Sequence, residues 1–118
     1  MPGNSLLLNG TGQHVNFGEV LGGTRTISFW IKPSLQIDST NSQENPVLVR
    51  DENGPSLFSI GEFAIYFGKT GSPEAGKLVF LRATTSATHK IASDRNIWNA
   101  NQWYHMAAVL HPVNGMQL

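Results

Sequence analysis

Short apolar runs alternate with turn residues along the whole chain, and helical periodicity is not sustained over three turns anywhere. The clearest run is 25–32, where Ile27, Phe29 and Ile31 share one face and Thr26, Ser28, Trp30 and Lys32 the other. Pro33 ends it, because proline cannot continue a central ladder. The run 103–110 behaves alike, with Tyr104, Met106, Ala108 and Leu110 opposite Trp103, His105, Ala107 and Val109. Further strands are predicted at 5–8, 14–17, 46–50, 56–60, 63–68 and 77–84, with 88–92 as the partner of 77–84. Phe63, Ile65 and Phe67 align on one side, and Leu78 and Phe80 lie opposite Val79 and Leu81.

Turn chemistry separates these runs. Asn9-Gly10-Thr11-Gly12 and Asp51-Glu52-Asn53-Gly54-Pro55 are tight turns, 18–23 is loop, 69–76 is a hairpin connection and 111–115 a further turn. The polar stretch 36–45 is the longest surface loop, and 93–102 is turn-like around Ile97 and Trp98. Many short strands at this spacing predict one all-β domain, an antiparallel β-sandwich, with the segments around Trp30 and Trp103 as its facing layers. Met116-Gln117-Leu118 opens another apolar segment at the chain end, so the sandwich is expected to lack its C-terminal strands.

Composition narrows the function classes. A length of 118 residues suits one domain with a working core. Charged residues make up only 14%, with 12 Gly and 6 Pro, which fits turns and strands better than helices with charged outer faces. Eight basic and eight acidic residues are scattered singly, so no basic stripe exists to neutralise phosphates or attract an anionic membrane surface. Nucleic-acid binding and membrane insertion are therefore not expected. Cysteine is absent, which excludes disulfides and thiolate metal sites. The opening Met1-Pro2-Gly3-Asn4 carries no signal-peptide pattern, and the chain is expected to be an excised piece of a longer, extracellular or cell-surface protein.

Two motifs add a resemblance. Leu6-Leu7-Leu8-Asn9-Gly10, His14-Val15 and Thr26-Ile27-Ser28-Phe29-Trp30-Ile31-Lys32-Pro33 look like the opening of a laminin G-like domain of the concanavalin A-like jellyroll kind. The later Asn101-Gln102-Trp103-Tyr104-His105-Met106-Ala107-Ala108-Val109 resembles that family's W-x-H-V-A strand. The resemblance implies a recognition module, with calcium as a possible loop ligand and further strands downstream. A sandwich lacking strands exposes unpaired edges, so a homo-oligomer or strand exchange with a second copy is expected.

Catalysis finds little support in the residues. Glucanases of this fold need paired carboxylates, typically as Glu-x-Asp-x-x-Glu on one strand, and that spacing is missing. No Gly-x-Ser-x-Gly elbow or His-paired cysteine occurs. His105 reads as a half-buried imidazole bonded to backbone, a scaffold role that the resemblance supports, and His14, His89 and His111 show no metal spacing. For calcium, Asp51, Glu52 and Asn53 supply oxygens in one turn and Asp38 one more, with Asp94 and Asn96 a weaker set; a solvated turn explains them better. The sequon at Asn9-Gly10-Thr11 is accounted for by its turn.

Sugars stack their apolar faces on exposed aromatic rings. Trp30 and Trp103 lie within strands and are expected to pack. Trp98 lies in the polar loop Asn96-Ile97-Trp98-Asn99-Ala100-Asn101, where it either forms a carbohydrate platform flanked by Asn99 and Asn101 or pins the loop to the core. Arg82, on a strand with Leu78 and Phe80, sits at a strand end in water or points into a groove to hold an anionic group. The expected function is non-catalytic recognition of a glycan or glycoprotein. The alternative is a structural module for adhesion or assembly without a small ligand.

Overall fold

The computed structural model describes residues 4–8, 13, 15, 26–43, 45–50, 63–83, 87–111 and 115–118. Among them are seven strands: β1 (Thr26–Ile31), β2 (Asn45–Arg50), β3 (Phe63–Phe67), β4 (Leu78–Ala83), β5 (Thr88–Ala92), β6 (Tyr104–His111) and β7 (Gly115–Gln117). They form a three-stranded sheet, β1-β6-β7, and a four-stranded sheet, β2-β3-β4-β5, antiparallel throughout. Among the described residues no helix is long and apolar enough to cross a membrane.

Period-two alternation decides what faces inward. Phe63, Ile65 and Phe67 of β3 and Leu78 and Phe80 of β4 form one wall of the core. Tyr104, Met106 and Ala108 of β6 form the other, with Ile27, Phe29 and Ile31 of β1 packed against it. The second face of the four-stranded sheet is closed too: Ala64, Val79, Leu81 and Ala83 are all buried. Near-continuous apolar sequence in β3 and β4 follows from that double burial. Pro46 sits in β2, at the edge of its sheet among the described strands, where a missing N–H costs least; the register shifts between Pro46 and Leu48.

Several expectations need correction. The segments around Trp30 and Trp103 are not facing layers; β1 and β6 are hydrogen-bonded neighbours in one sheet, with Trp30 opposite His105. Alternation assigns faces but cannot say which strands pair. Residues 5–8 are not a strand, and Leu6 and Leu7 are exposed. Of 14–17 only Val15 is described, and it too is outside any strand. The turns at 9–12 and 51–55, the loop 18–23 and the strand at 56–60 lie outside the described residues.

The loop 93–102 is where the sheets are tied together. Trp98 is 6% exposed, and its indole Nε1 donates to the Gly76 carbonyl at 2.8 Å. Its backbone exchanges two hydrogen bonds with Ile37, at 3.0 and 2.8 Å. Its ring meets Phe67 of one sheet and Tyr104 of the other edge-on, with centroids 5.3 and 5.1 Å apart. The Arg95 guanidinium lies 5.6 Å from the Trp98 ring centre and 5.3 Å from that of Tyr104. Of the two readings open for Trp98, the exposed platform is thus excluded and the pin holds: an indole with both sheets against it and its N–H satisfied has no face left for a sugar.

Candidate functional site: the outer face of the three-stranded sheet

Because Ile27, Phe29 and Ile31 point into the core, the alternate side chains of β1 project outward: Thr26, Ser28 and Trp30. On β6 the same logic turns out His105, between the buried Tyr104 and Met106. Register brings these together, with Trp30 opposite His105 and Ser28 opposite Ala107. Trp30 is 49% exposed, and its ring centre lies 5.0 Å from that of His105 at a 44° tilt. Ser28 Oγ and His105 Nε2 are 2.7 Å apart, with donor and acceptor set by the imidazole tautomer. Just beyond the strand ends, the Lys32 ammonium stands 5.9 Å from the centre of the Trp103 ring.

These corrections concern His105 and the two tryptophans. His105 is exposed, and its partner is the Ser28 side chain rather than backbone. Trp30 is not a packing residue, and Trp103 is only partly buried. A signal for this was present in the alternation: Trp30 shares its face with Thr26, Ser28 and Lys32, a polar set that marks the outside. An aromatic ring beside hydroxyl, imidazole and ammonium groups offers stacking and hydrogen bonding within one flat surface.

A serine hydroxyl beside an imidazole also begins a nucleophile–base pair. Here both residues stand on a ladder whose backbone N–H groups lie in the plane of the sheet, so none is aimed over Ser28 to hold an oxyanion. Among the described residues no carboxylate orients His105 either. The pair holds the Ser28 and His105 side chains together on the outer face of the sheet.

The residues singled out for a ligand do not converge. Asn99 donates its backbone N–H to the Tyr104 hydroxyl at 2.8 Å, and its side chain reaches Gln102 Oε1 at 3.3 Å. Asn101 adopts a left-handed φ of 62° and donates its N–H to the Pro33 carbonyl at 2.7 Å. Both serve the turn that carries Trp98. Arg82 pairs with Phe63, whereas Leu78 pairs with Phe67, which touches Trp98. Arg82 therefore lies roughly 13 Å further along β4, towards the opposite end of the sheet.

Asp38 is committed to its own loop. One carboxylate oxygen accepts from the Thr40 hydroxyl at 2.6 Å and the Thr40 backbone N–H at 2.8 Å, the other from Gln36 Nε2 at 2.7 Å. These donors, the Thr40 hydroxyl foremost, hold its carboxyl below the usual carboxylate range. This geometry is an Asx-type turn. Asp51, Glu52 and Asn53 lie outside the described residues, and the described residues contain no cluster of three His, Asp or Glu placed to hold a metal. Asp94 and Asn96 are exposed.

A comparison with known families places this architecture. The sequence profile of the concanavalin A-like lectin/glucanases superfamily, in its laminin G-like branch, matches residues 9–118. No curated protein and no solved structure matches the chain. Domains of this superfamily are often carbohydrate- or partner-binding modules, and laminin G-like members are generally non-catalytic. With two antiparallel sheets packed around one core and the profile matched over nearly its whole length, the chain belongs to the laminin G-like domains of the concanavalin A-like lectin/glucanase superfamily.

Proposed function

We propose that this domain is a non-catalytic recognition module of a larger extracellular protein, binding a glycan or a glycosylated partner through the outer face of β1 and β6. The observation that carries the reading is the half-exposed Trp30 ring, set against His105 and Ser28 on an open sheet face. Tryptophan is highly buried on average, and it is prominent among the residues that dominate binding energy. A pyranose laid on the ring would find the Ser28 hydroxyl and the imidazole within the same patch for its own hydroxyls.

The test is a glycan array probed with the wild-type domain and with Trp30→Ala. The wild type should select a set of glycans, and the variant should bind them at least about tenfold more weakly, a loss of about 1.4 kcal/mol or more. Its folding stability should change by no more than the roughly 0.2–1 kcal/mol of a cross-strand pair. Retained glycan binding in the variant would remove this site. If Trp30→Ala instead lowers the molar mass in solution, the face serves assembly, which is the adhesion reading.

A further inference from the structure

A second site lies away from the aromatic face, in a cleft of about 400 Å³ where the edges of β5 and β7 approach one another. We propose that this cleft binds a small carboxylate carrying an apolar tail, of the medium-chain fatty acid kind. Its walls include Ile91 of β5, Leu110 of β6 and Met116 of β7, with Arg82, His89 and Lys90 among its polar lining. A volume of this size is typical of small-molecule sites.

The arrangement of charge selects the ligand class. Arg82 shares its face of β4 with Leu78 and Phe80, which are core residues, so its side chain leaves the strand on the inner side. His89 is its direct partner across the β4–β5 ladder, and Ile91, two residues on, pairs with Phe80 on that same side. Arg82 and His89 thus stand directly opposite one another, and an anion seated between them would accept hydrogen bonds from both side chains. Lys90 also lines the cleft, but its ammonium is paired with Glu74 at 2.7 Å, which leaves Arg82 and His89 as the anion-binding groups. Among the described residues that line the cleft there is no carboxylate.

The other described side chains lining the cleft are hydrocarbon or thioether. Ile91, Leu110 and Met116 offer no ring for a sugar to stack on and few groups for its hydroxyls, so a polyol would leave most of its polar atoms unpaired. A carboxylate held by Arg82 and His89, with its chain laid along those three side chains, satisfies both parts at once. This site shares no residue with the Trp30 face, so the two proposals stand or fall separately.

Titration calorimetry with decanoate, decanamide and acetate tests it. Decanoate should bind one equivalent, decanamide at least tenfold more weakly, and acetate without measurable heat. Arg82→Gln should weaken decanoate at least tenfold, and His89→Gln should lower affinity in the same direction. Lys69→Gln, which removes an exposed charge elsewhere, should leave binding unchanged. Equal decanoate affinity in the wild type and in folded Arg82→Gln, equal affinity for the amide, or no decanoate binding would each overturn the proposal.

Discussion

Replacing Trp98 by Ala should lower the stability of this domain by about 4–6 kcal/mol and the melting temperature by more than about 10 °C. Truncating a buried tryptophan alone costs about 3–5 kcal/mol through lost contacts and the cavity left behind. At Trp98 two further losses follow. The Gly76 carbonyl loses the indole donor at 2.8 Å, and Phe67 and Tyr104, one from each sheet, lose the ring that both meet. A net stability of about 5–15 kcal/mol leaves such a variant near or past its limit. Trp98→Phe separates the contributions, since it keeps a ring but not the donor, and should cost about 1–3 kcal/mol. Urea unfolding monitored by circular dichroism measures both. A Trp98→Ala variant within 1 kcal/mol of wild type would mean that the indole does not join the sheets.

The second large effect belongs to Gly76→Ala, with an expected cost of about 2–5 kcal/mol. Gly76 has a φ of 73°, a region side chains rarely adopt. A Cβ there would lie 2.5 Å from the Asn96 carbonyl oxygen and 2.6 Å from both the Asp38 carbonyl carbon and the Ser39 nitrogen. All three are backbone atoms, so no side chain can swing aside. Gly71 supplies the matched control: its φ is 81°, and nothing lies within 4 Å of a Cβ built on it. Gly71→Ala should therefore cost only the left-handed penalty of about 1–2 kcal/mol. The difference between the two variants in thermal unfolding isolates the close approach of the three loops. Equal costs would show that the loops can part without penalty.

Strands were the most legible part of the sequence, because a half-buried strand writes its faces as a period of two. Ile27, Phe29 and Ile31 on β1 and Tyr104, Met106 and Ala108 on β6 point inward as that period requires. Pairing was not legible. The contact between Trp30 and His105 spans most of the chain, and no local pattern encodes a partner so distant in sequence. For the same reason Trp98 was misleading as a platform: its neighbours Asn96, Asn99 and Asn101 are polar and exposed, but Ile37 and the Gly76 carbonyl, far from it in sequence, draw the indole inside. Aromatic residues in strands suggest packing, and this general tendency hid the local observation that Trp30 stands with serine, threonine and lysine. Arg82 was readable as an inward-facing charge from its spacing to Leu78 and Phe80, whereas its cross-strand partner His89 emerged only with the register.

The domain contains three tryptophans, and their indole N–H signals in a nitrogen-15 correlation spectrum report on the binding surface directly. With Trp30→Phe used for assignment, the glycan bound best on the array should be titrated into the labelled wild type. The Trp30 signal should shift progressively while that of Trp98, hydrogen-bonded inside, stays in place. A ligand that moves the Trp98 signal and leaves Trp30 unchanged would contradict recognition through the outer face of the three-stranded sheet.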